Sequence, residues 1–112
     1  MVNNLLLVIL GGGLGSGLRF LVGNTFIVNL VGCLLIGFLA GLGVSKQWLT
    51  PSLRIFLFAG ILGGFTTFSA FGLESFMLLK GSQWVLGLLN ILGQVILGII
   101  LVAVGNRLGM LF

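Results

Sequence analysis

The chain has 112 residues, of which only five are Lys or Arg and one is acidic, and 59% are hydrophobic. Its mean hydropathy is +1.37, and a soluble domain carries about 25% charged residues. A small soluble domain leaves too much surface in water to hide so many apolar side chains, which excludes a soluble enzyme, a nucleic-acid-binding protein and a disordered chain. The sequence therefore predicts an integral membrane protein.

The polar inventory limits the chemistry further. The chain has no His, its only acidic residue is Glu74 and its only cysteine is Cys33. A side-chain metal centre needs clustered His, Cys or carboxylate ligands, and a hydrolytic triad needs a base. We therefore expect no enzymatic activity, and transport, channel and structural roles remain.

Four apolar stretches are long enough for membrane helices, which need about 20 residues each. They predict spans at residues 3–22, 25–44, 53–79 and 84–105, in one all-α transmembrane domain covering residues 1–112. Gly23-Asn24 predicts a tight turn, and Thr50 before Pro51 predicts the start of the third helix.

The third predicted span is too long for one straight helix. Its length corresponds to roughly 40 Å, whereas the hydrocarbon core is about 30 Å thick. At its centre lies the string Gly-Gly-Phe-Thr-Thr-Phe-Ser, residues 63–69. Non-helical backbone at membrane depth survives only where protein or a water-filled cavity covers it, and such breaks often hold ions. We therefore predict a helix broken in mid-membrane.

Glycine is enriched, with 20 residues in the chain. Several glycines lie four residues apart within the first three predicted spans, including the pairs Gly11 and Gly15, and Gly13 and Gly17. Small residues at this spacing let helix backbones approach closely, so the pattern predicts tight helix packing.

The cations give little preference for one orientation in the membrane. Lys46, Arg54 and Arg107 fall on one predicted side, and Arg19 and Lys80 fall on the other. The positive-inside rule needs a larger asymmetry than three against two. We therefore predict dual topology, with two copies forming an antiparallel dimer in the manner of inverted-repeat transporters.

Polar residues inside membrane spans are costly and are therefore candidates for function. Arg19 and Glu74 lie at similar predicted depth, which favours an ion pair between them. Asn29 either bridges two helices or offers its two amide donors to an anion.

Two further patterns have both a packing and a functional interpretation. Asn90 and Gln94 share one face of the fourth span, where they either join helices or line a pore. Phe65, Phe68 and Phe71 recur every three residues through the predicted break. They either pack in the protein interior or present their positive ring edges to an anion.

Three segments together resemble the Fluc/CrcB fluoride channels. They are Gly-Gly-Leu-Gly-Ser-Gly-Leu-Arg-Phe at 12–20, Val-Asn-Leu-Val-Gly at 28–32 and Gly-Gly-Phe-Thr-Thr-Phe-Ser-Ala-Phe at 63–71. The resemblance implies an antiparallel dimer with two fluoride pores and a central structural sodium ion. It also implies passive export of fluoride, which enters the cell as the neutral acid, across the plasma or inner membrane of a prokaryote. The implied partner is a second copy of the chain or, since some bacteria encode two members that pair, a paralogue.

The resemblance also implies roles for individual residues. With Gln94 added as the pore-lining alternative from the fourth span, the residues of the fluoride pathway are Asn29, Thr67, Phe68, Ser69, Phe71 and Gln94. Gly63 and Thr66 match the positions whose backbone carbonyls hold sodium. Arg19 matches the arginine that ends the first helix.

Two other classes of membrane protein compete with this interpretation. A small multidrug-resistance transporter is similarly short and dual-topology, but it needs an acid in the first span, and Glu74 lies in the third. A structural or holin-like assembly protein would not explain a polar break at the centre of the membrane. The sequence therefore favours the channel.

Overall fold

The computed structural model describes residues 2–112, and the described part of the chain contains helices and no strand. Four helices are long and apolar enough to cross a membrane: Val2–Val22, Thr25–Lys46, Pro51–Lys80 and Trp84–Leu111. We call the first two α1 and α2 and the last α5, and we divide the third into α3 (residues 51–65) and α4 (Phe68–Lys80). The prediction of an all-α, four-span membrane protein is confirmed.

The turns between helices follow from local capping residues. Gly23 adopts φ +72°, which favours glycine, and the Asn24 side chain accepts a hydrogen bond from Ile27 N at 2.9 Å. At the start of α3, Thr50 Oγ1 accepts from Leu53 N at 3.2 Å. The predicted turn at Gly23-Asn24 and the predicted start of the third helix after Thr50 are both present. The fourth helix continues to Leu111, beyond the predicted end at residue 105.

Glycines shape the two main helix interfaces. α1 packs mainly against α3, and α2 packs mainly against α5. The two helices of each pair run in the same direction. An added Cβ would press on the partner's backbone at Gly11, Gly15, Gly60 and Gly64 in the first pair, and at Gly37, Gly41, Gly105 and Gly109 in the second. The predicted glycine packing is thus confirmed at the positions in the first three spans, whereas the sequence analysis did not indicate Gly105 and Gly109. At Gly13 and Gly17, by contrast, an added Cβ would meet no atom within 4 Å, and both residues are exposed.

The first half of α5 packs against α4, while its last part packs against α2. The turn between α4 and α5 passes through Ser82, at φ +62°, and brings Gly87 against the Leu79 side chain. Two stretches are π-helical, Ile55–Leu62 within α3 and Gly93–Leu97 within α5. Such widened turns occur frequently at functional sites, and the sequence did not predict them.

The buried apolar side chains of the described residues surround the end of α3. They are Val28, Leu62, Phe65 and Phe71, each no more than 9% exposed. Large apolar side chains elsewhere on the helices are widely exposed. This distribution suits a protein whose outer surface faces lipid or a second copy.

Candidate functional site

The third span loses helical geometry at Thr66 (φ −91°, ψ 159°) and Thr67 (φ −149°, ψ 118°). A continuous helix would bond the Thr67 N–H to the Gly63 carbonyl, and the break turns that N–H elsewhere. The Thr67 hydroxyl replaces one lost bond, since its Oγ1 accepts from Ala70 N at 3.2 Å. Thr66 Oγ1 donates to Leu62 O at 3.0 Å, an oxygen that also accepts from Thr66 N. The interruption falls at the position that the sequence indicates.

Asn29 on α2 supplies hydrogen bonds that the break removes. Its Oδ1 accepts from Thr67 N at 2.8 Å, and its Nδ2 donates to Thr67 O at 3.0 Å. The same Nδ2 donates to Gln94 Oε1 on α5 at 2.6 Å. Both amide hydrogens are therefore engaged within the protein, and Asn29 bridges three helices.

The hydrogen bonds continue from Gln94 along the interface between α4 and α5. Gln94 Nε2 donates to Asn90 Oδ1 at 2.9 Å, and Asn90 Nδ2 donates to Ser75 Oγ at 2.9 Å. Gln94 is 7% exposed and Ser75 is 6% exposed. A line of four polar side chains, Asn29, Gln94, Asn90 and Ser75, thus leads away from the break, with Gln94 and Ser75 buried and the two asparagines half-buried. We call it the amide chain.

The three phenylalanines of the predicted stripe have different environments. Phe65 and Phe71 are buried, which agrees with a packing role, whereas Phe68 is 81% exposed. The Phe68 and Phe71 rings lie 5.5 Å apart between centroids, at 54° to each other. Beside them, the hydroxyls of Thr67 and Ser69 lie 3.3 Å apart. Packing within one chain therefore does not account for Phe68.

A cleft of about 330 Å³ opens beside the break. Asn29 and Gly63 contribute to its wall, together with Thr66, Thr67 and Phe68. None of its lining residues is charged, and most of its surface is apolar. Such a space holds an ion only through amide, hydroxyl and backbone groups and ring edges.

Arg19 satisfies a second group that the break releases. Its Nε donates to Gly64 O at 3.0 Å, and Ser16 Oγ lies 3.5 Å from the same oxygen. Glu74 lies elsewhere, on the exposed side of α4 in a cavity that it shares with Gln83. The predicted pairing of Arg19 with Glu74 is therefore not what the structure shows, because the freed carbonyl lies within reach of the guanidinium.

Residues 6–106 match the family described as CrcB-like protein, Camphor Resistance (CrcB). The chain belongs to the CrcB-like protein family. It is similar to proteins named fluoride-specific ion channel FluC from several bacteria. Identity is 39% with the protein of Methylobacillus flagellatus, covering 92% of this chain and 91% of that protein. It is 40% with that of Chloroflexus aurantiacus (99% and 98%) and 43% with that of Rhizobium meliloti (96% and 96%).

Membership in the CrcB-like family confirms the resemblance that the three motifs carry. Together with the four membrane-capable helices and the bacterial relatives, it confirms a multi-pass membrane protein of a prokaryote. The long coverage also shows that the similarity is not confined to the string around the break.

Ser75 is the member of the amide chain that sequence analysis of this CrcB-family protein missed. A signal for it existed, because α4 and α5 form an antiparallel helical hairpin. Gly87 faces Leu79 near the connection between the two helices. Ser75 lies four residues before Leu79 and Asn90 lies three residues after Gly87, so each is one helical turn further from the connection and the two face each other. A lone serine opposite an asparagine in two apolar helices indicates an interhelical hydrogen bond.

Proposed function

We propose that this chain is a fluoride-specific ion channel that passively exports fluoride across the cell membrane and lowers cytoplasmic fluoride toxicity. The observation that carries the proposal is the nearly full-length similarity to proteins named as fluoride-specific channels. The chain is a channel and not an enzyme, in keeping with the ion-channel relatives and the family. A multidrug-resistance transporter is not favoured, because α1 carries no acidic residue.

The proposed fluoride pathway follows the polar groups beside the break. Asn29 contributes an amide donor, and Gln94 lines the pathway with the carbonyl that accepts from it. Phe68 and Phe71 present ring edges, which carry partial positive charge. Two hydroxyls 3.3 Å apart, on Thr67 and Ser69, use one hydrogen between them and retain a second to donate. Such neutral donors suit conduction, since an ion must be bound weakly enough to leave.

An antiparallel dimer would complete this pathway. One chain leaves Phe68 81% exposed and the cleft open on one side, so a single copy does not enclose an ion path. A second copy in opposite orientation is compatible with the balanced cations, and a paralogue is the alternative partner.

Adding several Lys residues to the loop at residues 46–52 should force one orientation and abolish fluoride transport. Co-expression with an oppositely biased copy should restore it, and full activity of the singly oriented protein would contradict the dimer.

A structural sodium ion at the dimer centre belongs to the same proposal. Gly63 and Thr66 fit it: both line the cleft, and the Thr67 N–H that would cover the Gly63 carbonyl in a continuous helix bonds to Asn29 instead. Two carbonyls from each of two chains would surround one cation without a carboxylate, which suits a monovalent ion. Fluoride transport that is unchanged after complete sodium removal would contradict this site.

The proposed activity can be tested in a bacterium that lacks its own fluoride exporter. Expression of this chain should restore growth in medium with fluoride, and a matched strain expressing Asn29→Ala should grow poorly at the same level of membrane protein. Absence of rescue by wild-type protein present in the membrane would contradict the proposed function.

A further inference from the structure

Every hydrogen bond of the amide chain has a fixed donor and a fixed acceptor, and one backbone group decides which is which. The Thr67 N–H can only donate, so the Asn29 carboxamide must turn its oxygen toward it. The Asn29 nitrogen then faces Thr67 O and Gln94, and Gln94 must present its carbonyl oxygen to that nitrogen. The orientation of two amides therefore follows from a single N–H at the break.

The other end of the amide chain holds the same direction. Gln94 Nε2 donates to Asn90 Oδ1, which leaves Asn90 Nδ2 to donate to Ser75 Oγ. Gln94 and Ser75 are almost fully buried, so a turned Gln94 would place donor against donor at Asn29. Unpaired polar groups are costly in a low-dielectric interior.

We propose that Asn90 and Ser75 are positioning residues of the fluoride pathway, because they hold the Gln94 carbonyl on the Asn29 amide donor that fluoride must take. This inference rests on the proposed function. Fluoride reaches the donor by exchange: the bond from Asn29 Nδ2 to Gln94 Oε1 breaks as the bond from Asn29 Nδ2 to fluoride forms. A resident neutral acceptor weakens net fluoride binding, which favours release and conduction.

The exchange predicts how the fluoride concentration for half-maximal flux responds to mutation. Asn90→Leu removes the anchor of Gln94 Nε2, so fluoride displaces the Gln94 carbonyl more easily. The half-saturating concentration should fall about two- to tenfold, the range expected for one neutral hydrogen bond. Ser75→Ala removes one oxygen and acts one bond further away, so it should cause a smaller fall.

Asn106→Leu is the matched control, because Asn106 lies on the same helix but bonds to Met110 Sδ, outside the amide chain. Flux is measured with purified protein in liposomes over a series of fluoride concentrations, and Asn106→Leu should match wild type. Ser75→Ala keeps α4 nearly intact, so the inference stays testable if Asn90→Leu yields no folded protein.

A double-mutant comparison separates positioning from direct contact. Gln94→Met removes the resident acceptor and should lower the half-saturating concentration, and adding Asn90→Leu should change it no further, because Asn90 acts through Gln94. Additive effects would overturn the inference. So would wild-type half-saturation in both Asn90→Leu and Ser75→Ala, or a loss confined to maximal flux, which indicates a structural role alone. Absence of fluoride flux in wild type would contradict the proposed function itself.

Discussion

The third and fourth spans are alike in length but differ in backbone geometry. Each is longer than the first two, at 30 and 28 residues, and each contains a π-helical stretch and polar side chains. The third span opens its backbone at Thr66 and Thr67, whereas the fourth stays helical from Trp84 to Leu111 and offers only the side chains of Asn90 and Gln94.

The difference lies in what neighbouring helices supply. The groups freed in the third span find partners on two other helices, with Asn29 on Thr67 and Arg19 on Gly64. The backbone of the fourth span stays helical and receives a side-chain donor near its end, where Ser45 Oγ on α2 donates to Gly109 O at 3.2 Å. A large part of this span packs closely against α2 through glycines. A membrane helix can thus open where neighbours replace its lost hydrogen bonds.

The largest expected effect is that of Asn29→Ala, which removes the main replacement for the broken helix. It leaves the Thr67 N–H and the Gln94 carbonyl unpaired, at about 1–3 kcal/mol for each group. Fluoride flux in liposomes should fall at least about tenfold, because a hydrogen-bond donor near the anion is also lost. Asn106→Ala should keep wild-type flux. Equal flux in the two variants would remove Asn29 from the pathway.

Phe71→Ala and Phe68→Ala should distinguish a phenyl ring that packs in the protein interior from one that only presents its edge to fluoride. Phe71 is buried, so its truncation should lower the free energy of unfolding by about 3 kcal/mol as well as reduce flux. Phe68 is 81% exposed on one chain, so its truncation should reduce flux with a much smaller loss of stability. Thermal unfolding and liposome flux measure the two effects. An equal loss of stability in both variants would show that Phe68 is packed like Phe71.

Gly37→Ala should destabilise the interface between α2 and α5, on the side of the fourth span. The added Cβ would press on the Val102 backbone in α5, and overpacking of this kind costs about 1–3 kcal/mol. Gly72→Ala on α4 meets nothing within 4 Å and serves as the control. Denaturation in detergent should show a lower free energy of unfolding for Gly37→Ala alone. The same free energy of unfolding for both variants would argue against close packing of α2 on α5.

Arg19→Gln should have the smallest effect. Glutamine retains a donor for Gly64 O but loses the charge, which weakens the hydrogen bond by about 1 kcal/mol. Arg107, an exposed arginine on α5, provides the control Arg107→Gln. Unfolding curves of the two variants measure the difference. If they coincide, the bond from Arg19 to Gly64 contributes nothing measurable.

The sequence predicts features that depend on composition along one helix. The four spans, the interruption near Thr66 and the glycine faces all follow from hydropathy, residue type and spacing. Hydrogen-bond partners on different helices are harder to predict from the sequence, because they depend on how each helix is rotated about its axis. The π-helical stretch at Gly93–Leu97 changes the phase of the residues that follow it, so a regular helical repeat misplaces them. The partner of Arg19 was missed because a backbone carbonyl leaves no mark in the sequence.

The most direct test of the account is anion efflux from liposomes that contain the purified wild-type protein. Liposomes are loaded with fluoride or with chloride at equal gradient, and efflux is started by an ionophore that carries the counter-cation. The account predicts rapid fluoride efflux and chloride efflux no faster than from protein-free liposomes. Robust chloride efflux, or fluoride efflux at the protein-free rate, would contradict it.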